Sequence, residues 1–365
     1  MPTLSACVVV KDGRKSIRAC LDSLVGVADE IVVVDTGSTD GTPEMVGGFS
    51  SSKGTPRVML ELAGNRFVMP NGSFDFGSAK QYAISLATCD YVMWMDCNEV
   101  IEDPSCFRET FCRILAKFPH ASVYANTRTS PNYWFPRLRA APRKFARFEG
   151  RIHELMRNDA PDAVPCDSGQ FIRNFKKTRD VDRNIKCLLG DWELGRKART
   201  AFYLGNSYKD KGMLDKAVEW YAIAVDEFPD SVDEERLKSL ETLCSAAFAS
   251  HDGVSLGRRS LQAIQEFPNC PEGYYWRGRY NYVIGNYTMC AKCISECLKL
   301  AKPHGVMTWI NPEVYDRKML NAMLEDAKNR AQFANAVPLR PDHIEDSGMS
   351  GAYGGSRVRF EGYGY

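Results

Sequence analysis

The run YVMWMDCNEV (Tyr91–Val100) is apolar until it ends in Asp96-Cys97-Asn98-Glu99. On an extended segment, residues two apart point the same way, so Asp96 and Asn98 share a side and Cys97 turns opposite. Carboxylate and amide oxygens suit hard divalent cations such as Mg²⁺ or Mn²⁺. A cation at a strand tip in turn suits a diphosphate, whose leaving oxygen gains negative charge. Asn98 keeps a ligating oxygen but carries no charge. The pattern therefore predicts a site that holds metal weakly until a phosphate ligand arrives.

A second acidic tip lies upstream in EIVVVDTGSTDGT, where Asp35 ends a β-branched run and a Gly/Ser/Thr turn follows. Asp35 there could accept hydrogen bonds from a nucleotide's base or ribose, or could cap the turn with Asp40. Asp40 reads as the cap and Asp35 as the ligand-binding residue.

These tips need a scaffold. LSACVVV (Leu4–Val10), EIVVVD (Glu30–Asp35), RVMLELA (Arg57–Ala63) and DYVMWMD (Asp90–Asp96) alternate with amphipathic stretches such as KSIRACLDSLVGVA and SAKQYAISLAT. Strand–helix alternation with apolar runs predicts a mostly parallel sheet covered by helices on both faces. Ligands of such sheets bind at the carboxyl ends of the strands, where Asp35 and Asp96 both fall.

The second half follows another rule. Leu204, Gly205, Tyr208, Gly212, Ala217, Tyr221, Ala224 and Pro229 fit the frame of a tetratricopeptide (TPR) helix pair. Gly278, Gly285, Tyr287 and Cys290 repeat it, with room for a degenerate copy between them ending LQAIQEFPNCPEG. Three stacked pairs are expected, since one pair cannot bury its apolar face alone. Cys290, Cys293 and Cys297 fall on one face of such a helix and read as core, not as a zinc site. The expected division is 1–185 for the α/β domain, 186–335 for the helical repeats and 336–365 for a Gly/Tyr-rich tail.

Bulk properties agree with a globular chain: 365 residues, 44% hydrophobic, 25% charged, formal net charge +1. No apolar run is long enough for a membrane span, and the first residues do not resemble a signal peptide, so cytoplasmic residence is expected. Thirteen scattered cysteines, an odd number, predict buried thiols and no disulfide framework. The charge is uneven. Residues 137–199 carry 16 Lys+Arg against 9 Asp+Glu, a local +7 that leaves −6 for the rest. Within that band PRLRAAPRKFARFEGR offers three readings: a loop over a donor's phosphates, a nucleic-acid track, or a solvated loop.

Taken in order, CVVVKDGRKSIRACLDSLVGVADEIVVVDTGSTDGT, FDFGSAKQYAISLATCDYVMWMDCNEV and FPRLRAAPRKFARFEGRIHE resemble the successive motifs of family 2 glycosyltransferases of GT-A fold, in the bacterial branch fused to TPRs. The resemblance runs to about residue 305. It implies an α/β, GT-A (Rossmann-like) mixed sheet followed by an all-α TPR solenoid. It implies inverting transfer of a sugar from a UDP-sugar, with a divalent cation held by a DxD-type motif. On it, Asp35 would meet the uracil or ribose, and Asp75 and Lys80 would help seat the donor. Asp96 and Asn98, where the family usually has a second Asp, would face ribose and metal-diphosphate, with His153 near the metal.

An acceptor hydroxyl also needs a general base about 3 Å away. Glu154 and Glu149, flanking His153, are the candidates in that order, with Glu99 third because it could instead cap the helix at EDPS or support Arg137. If the metal is dispensable, Lys80, Arg137, Arg139 and Arg151 would carry its charge. The acceptor is expected to be a protein or peptide held by the TPRs, with a glycan or a hydroxylated base in DNA as alternatives. A scaffold on a decayed nucleotide site is the non-enzymatic reading, which Asn98 favours. The ordered survival of Asp35, Asp75, Asp96, His153 and Glu154 opposes it.

Overall fold

The computed structural model describes residues 1–49, 56–130, 133–175, 180–229, 234–300 and 312–336. The tail expected from residue 336 lies outside the described residues beyond Ala336. The chain forms two compact units, Met1–Arg196 and Lys197–Tyr365. The division into units falls after Arg196. The helix Val181–Leu194 belongs to the first unit because Cys187 donates to the carbonyl of Phe74 (3.5 Å) and Asp191 faces Arg151 (3.7 Å).

In the first unit β1 (Leu4–Val10), β2 (Glu30–Asp35), β3 (Arg57–Leu62) and β4 (Tyr91–Asp96) run parallel. The sheet is completed by β5 (Glu99–Ile101), β6 (Ser122–Ser130), β7 (Tyr133–Pro142) and, after a separate hairpin β8 (Ala146–Glu149) with β9 (Leu155–Asn158), by β10 (Pro165–Asn174). Strand order is β3-β2-β1-β4-β7-β6-β10-β5, with β7 antiparallel to both β4 and β6. The mixed α/β sheet expected from the sequence is therefore present.

Continuous apolar strands bury both faces. Val8, Val10, Ile31, Val33 and Met93 pack under the helices α1 (Ile17–Leu24) and α4 (Pro104–Lys117), with the short α2 (Thr42–Gly47) between them in the chain. Cys7, Val32, Val34, Val92 and Trp94 face α3 (Phe76–Leu86) on the other side through Ala79, Ala83 and Ile84.

The second unit is a run of helices joined by short turns. The sequence's first helix pair is α6 (Ala198–Asp210) with α7 (Leu214–Asp226), α5 being Val181–Leu194. The degenerate copy is α8 (Glu234–Ala249) with α9 (Gly253–Glu266), and the third pair is α10 (Pro271–Val283) with α11 (Tyr287–Lys299). A last helix, α12 (Arg317–Ala336), closes the array. Gly205 and Gly278 occupy equivalent helix interiors because their partners leave no room: a Cβ would lie 2.8 Å from the Tyr221 ring and 2.5 Å from Ile294. Gly205→Ala is therefore expected to destabilise by about 1–3 kcal/mol despite alanine's better helix propensity, read as a lower urea midpoint. All thirteen cysteines are free, and Cys290, Cys293 and Cys297 are buried on one face of α11 as expected.

Candidate active site

The register places the two acidic tips on either side of one strand. On β1, Val10 pairs with Asp35 and Val9 with Asp96. Two inter-strand steps separate them, roughly 10 Å. Asp35 is buried, and its Oδ1 accepts from the N–H groups of Gly37 (2.9 Å) and Ser38 (2.8 Å). Its Oδ2 is buried with no hydrogen-bond partner among the described residues, a costly state in a folded protein. Asp40, by contrast, is spent on the turn, accepting from Thr42 and from the Arg14 N–H.

At the other tip, Lys80 reaches from α3 to lie between two carboxylates, with Nζ 3.0 Å from Asp96 Oδ1 and 2.5 Å from Glu154 Oε1. Its ammonium sits 3.9 Å from the centroid of the buried Trp94 ring. Arg139 and Arg137 approach the same indole at 4.3 and 5.6 Å. The indole N–H donates to the Leu138 carbonyl (2.8 Å), which fixes the ring as a platform for all three cations. Nothing in the sequence marked Trp94 for this role, since it reads as one more apolar residue of β4.

Burial pushes the Asp96 carboxyl upward. The charges of Lys80, then Arg137 and Arg139, more than offset this and hold it at about 2, below the ordinary 3.8. Burial likewise pushes Lys80 down, but Asp96 and Glu154 outweigh it and keep the ammonium protonated past the ordinary 10.5. A depressed carboxylate stabilises the fold above its unfolded pKa and loses that contribution as pH falls through its folded value. A raised lysine contributes below 10.5 and loses it only at higher pH. The urea midpoints of wild type and Asp96→Asn are therefore expected to differ by a constant amount from about pH 5 to 9, and to converge between about pH 4 and 2.

Glu99 and Arg139 form a fully buried pair beneath this cluster, bidentate at 2.7 and 2.8 Å. Glu99 Oε2 also accepts the Asp96 N–H (3.0 Å), so the pair fixes the backbone at the strand tip. Glu99 supports Arg139 and not Arg137, the partner expected for it. Nor does it cap α4, where Asp103 accepts the Cys106 N–H (3.0 Å). Arg137 remains half-buried, with no carboxylate in ion-pair contact among the described residues.

The other expected residues divide. Asp75 caps α3 by accepting from the N–H (2.8 Å) and hydroxyl (2.9 Å) of Ser78. Arg151 lies 3.7 Å from both Asp75 and Asp191, and its carbonyl accepts the Phe76 N–H (2.8 Å). These two residues thus dock the 150–154 segment on the start of α3. Gly77 permits the approach, since a Cβ there would come within 2.0 Å of the Gly150 carbonyl oxygen. Glu149 pairs with Arg157 (3.3 Å) and Arg147 (3.8 Å) on the β8–β9 hairpin. His153 adopts a left-handed backbone (φ 52°) in the turn between those strands.

For a divalent cation, the donor set as it stands does not fit. Asp96 Oδ1 and Glu154 Oε1 are taken by Lys80, and Asn98, whose Nδ2 donates to Asn174 Oδ1 (2.8 Å), offers only a neutral carbonyl oxygen beside them. Among the described residues, no three His, Cys, Asp or Glu side chains are grouped to hold a metal ion. No described helix is long and apolar enough to cross a membrane.

Residues 5–180 match the glycosyl transferase family 2 model. A curated TPR repeat-containing protein of Synechococcus elongatus is 30% identical over 99 residues, 27% of this chain and 21% of that protein, so the chain spans about a fifth of that relative's length. Among solved structures, S. aureus TarS 1–349 aligns over 93% of both chains at 12% identity, with a TM-score of 0.36. The glucosyl-3-phosphoglycerate synthase of Mycobacterium tuberculosis aligns over 53% of this chain and 79% of its own at 18% identity, with a TM-score of 0.37. Likenesses that distant carry no argument about chemistry. The family match falls on the sheet, on both acidic tips and on the Lys80 cluster: over residues 5–180 the chain is a family 2 glycosyltransferase domain, and a TPR-type helical array follows it.

Proposed function

We propose that the first unit transfers a sugar from a uridine diphosphate sugar to an acceptor hydroxyl, with inversion at the anomeric carbon. The observation that carries this reading is the pair of acidic strand tips around the end of β1, with Lys80 and Arg137 gathered at the second. The unpartnered Oδ2 of Asp35 is an acceptor that a base or ribose donor would satisfy. Lys80 and Arg137 would take the diphosphate, whose negative charge grows as its bond to the sugar breaks.

In the proposed reaction the acceptor oxygen attacks the anomeric carbon from the face opposite the diphosphate. The carbon–oxygen bond to the diphosphate breaks, and the diphosphate leaves with the electron pair. The hydroxyl proton passes to Glu154 Oε2, while Oε1 stays on Lys80. Glu149, half-buried beside Arg147 and Arg157, is the weaker candidate for this role. Asp75 and Arg151 act by positioning the segment that carries Glu154.

For the acceptor we favour a polypeptide hydroxyl presented through the helical array. Asn206 Nδ2 on α6, and Glu272 Oε2 and Trp276 Nε1 on α10, are buried polar atoms with no hydrogen-bond partner among the described residues, which supports a polar ligand on the first helices of the pairs. The basic band argues less for nucleic acid than its charge suggests. Arg139, Arg147, Arg151, Arg157 and Arg173 are each spent on an internal carboxylate.

The test is calorimetric titration of UDP into wild type and Asp35→Ala, followed by a UDP-release screen across UDP-sugars. Loss of a hydrogen bond to the Asp35 carboxylate should weaken UDP by roughly 10- to 100-fold. Equal affinity in the two proteins would sink the assignment of Asp35.

A further inference from the structure

We propose that Lys80 is itself the cation of the diphosphate site, so that this protein binds its nucleotide without a divalent ion. The proposal rests on the nucleotide-sugar reading and adds what supplies the positive charge. Two carboxylate oxygens, Asp96 Oδ1 and Glu154 Oε1, converge on one point from different parts of the chain, as ligands converge on a metal. That point holds an ammonium. The side chain of Lys80 is 8% exposed, enclosed between α3 and the Trp94 ring, so it is seated there by packing as well as by charge.

A divalent ion placed against the same oxygens would lie within about 3 Å of the ammonium, where like charges repel strongly. Asn98 points to the same conclusion. A second carboxylate beside Asp96 would serve a doubly charged ion, whereas a neutral amide suits a site where Lys80 and Arg137 already counter the charges of Asp96 and Glu154. Arg137, half-buried over the same indole, provides a second cation for the diphosphate. Lys80 thus has two functions: it holds Asp96 and Glu154 in register in the empty protein, and it faces the phosphates when the nucleotide enters.

The proposal predicts opposite metal behaviour for wild type and a Lys80 variant. Mn²⁺ is titrated into the nucleotide-free protein and followed by electron paramagnetic resonance. Wild type should hold no more Mn²⁺ than Asp96→Asn does. Lys80→Met should gain about one equivalent, bound between the two freed carboxylates and lost again in the Asp96→Asn background. If Lys80→Met does not fold, Lys80→Gln serves the same purpose. A separate arm needs no variant: UDP is titrated into wild type in EDTA and in Mn²⁺, with affinities expected to agree within about threefold.

A wild-type protein that binds Mn²⁺ at Asp96 without nucleotide would overturn the proposal, as would UDP affinity at least about tenfold higher with Mn²⁺. Absence of UDP binding under both conditions would sink the nucleotide reading instead. The Mn²⁺ titration contains no nucleotide, and it would then decide the role of Lys80 alone.

Discussion

Arg139→Met is expected to lower the unfolding free energy by about 3–5 kcal/mol, the cost of leaving a buried charge without its partner. Glu99 and Arg139 are both fully buried, and their two hydrogen bonds at 2.7 and 2.8 Å are not shared with solvent. Arg139 also donates to the Thr127 hydroxyl (2.7 Å), and Glu99 Oε1 accepts from the Asn174 amide (3.2 Å), so one pair ties β5, β6, β7 and β10. The substitution removes the cation and leaves the Glu99 carboxylate among apolar strands. A double variant, Glu99→Leu with Arg139→Met, removes both charges and should recover much of the loss, because desolvating the pair already offsets most of its attraction. It should not recover UDP affinity, since the Asp96 N–H loses its acceptor and the strand tip is no longer held. Urea unfolding and UDP titration of the three proteins would check both statements. A loss under about 1 kcal/mol in the single variant would mean that the pair does not tie these strands together.

What the sequence made legible follows from how local each cause is. Asp35 and Asp96 could be placed because each ends a β-branched run, and a strand's tip is where its run ends. The helix pairs could be placed because Gly205 and Gly278 answer to steric demands within a single pair. Pairings set by long-range register were not legible. Arg137 and Arg139 are two apart on β7, and which one meets Glu99 depends on how β7 slides between β4 and β6. Asn98 finds Asn174 seventy-six positions away, across β10. Glu149 and Glu154 looked alike beside His153, yet the turn that begins at Gly150 sends one to the hairpin surface and the other to Lys80. The role of Trp94 is not legible either, because a buried strand indole carries no local sign of the cations that later segments bring to it.

Glu154→Gln is expected to lower kcat by about a hundred- to ten-thousandfold while changing UDP affinity little, the signature of a group used in the chemical step. The reasoning turns on what an amide keeps and what it loses. Glutamine retains a carbonyl oxygen that can still accept the Lys80 ammonium, so the seat of Lys80 and its charge toward the diphosphate survive in large part. It cannot take a proton from the acceptor hydroxyl. If Glu154 served only to position Lys80, the same substitution would weaken UDP, as loss of the Lys80 charge would, and leave turnover of bound donor nearly intact. Glu149→Gln is the control: its carboxylate faces Arg147 and Arg157 on the hairpin, so kcat should hold within about threefold of wild type. A large kcat loss in Glu149→Gln with none in Glu154→Gln would exchange the two assignments. Comparable losses in both would place the acceptor hydroxyl where each carboxylate can reach it, and would end the case for a single base. Single-turnover rates with saturating donor, measured beside UDP titrations of the same variants, separate these outcomes because the chemical step and the binding step are then read independently.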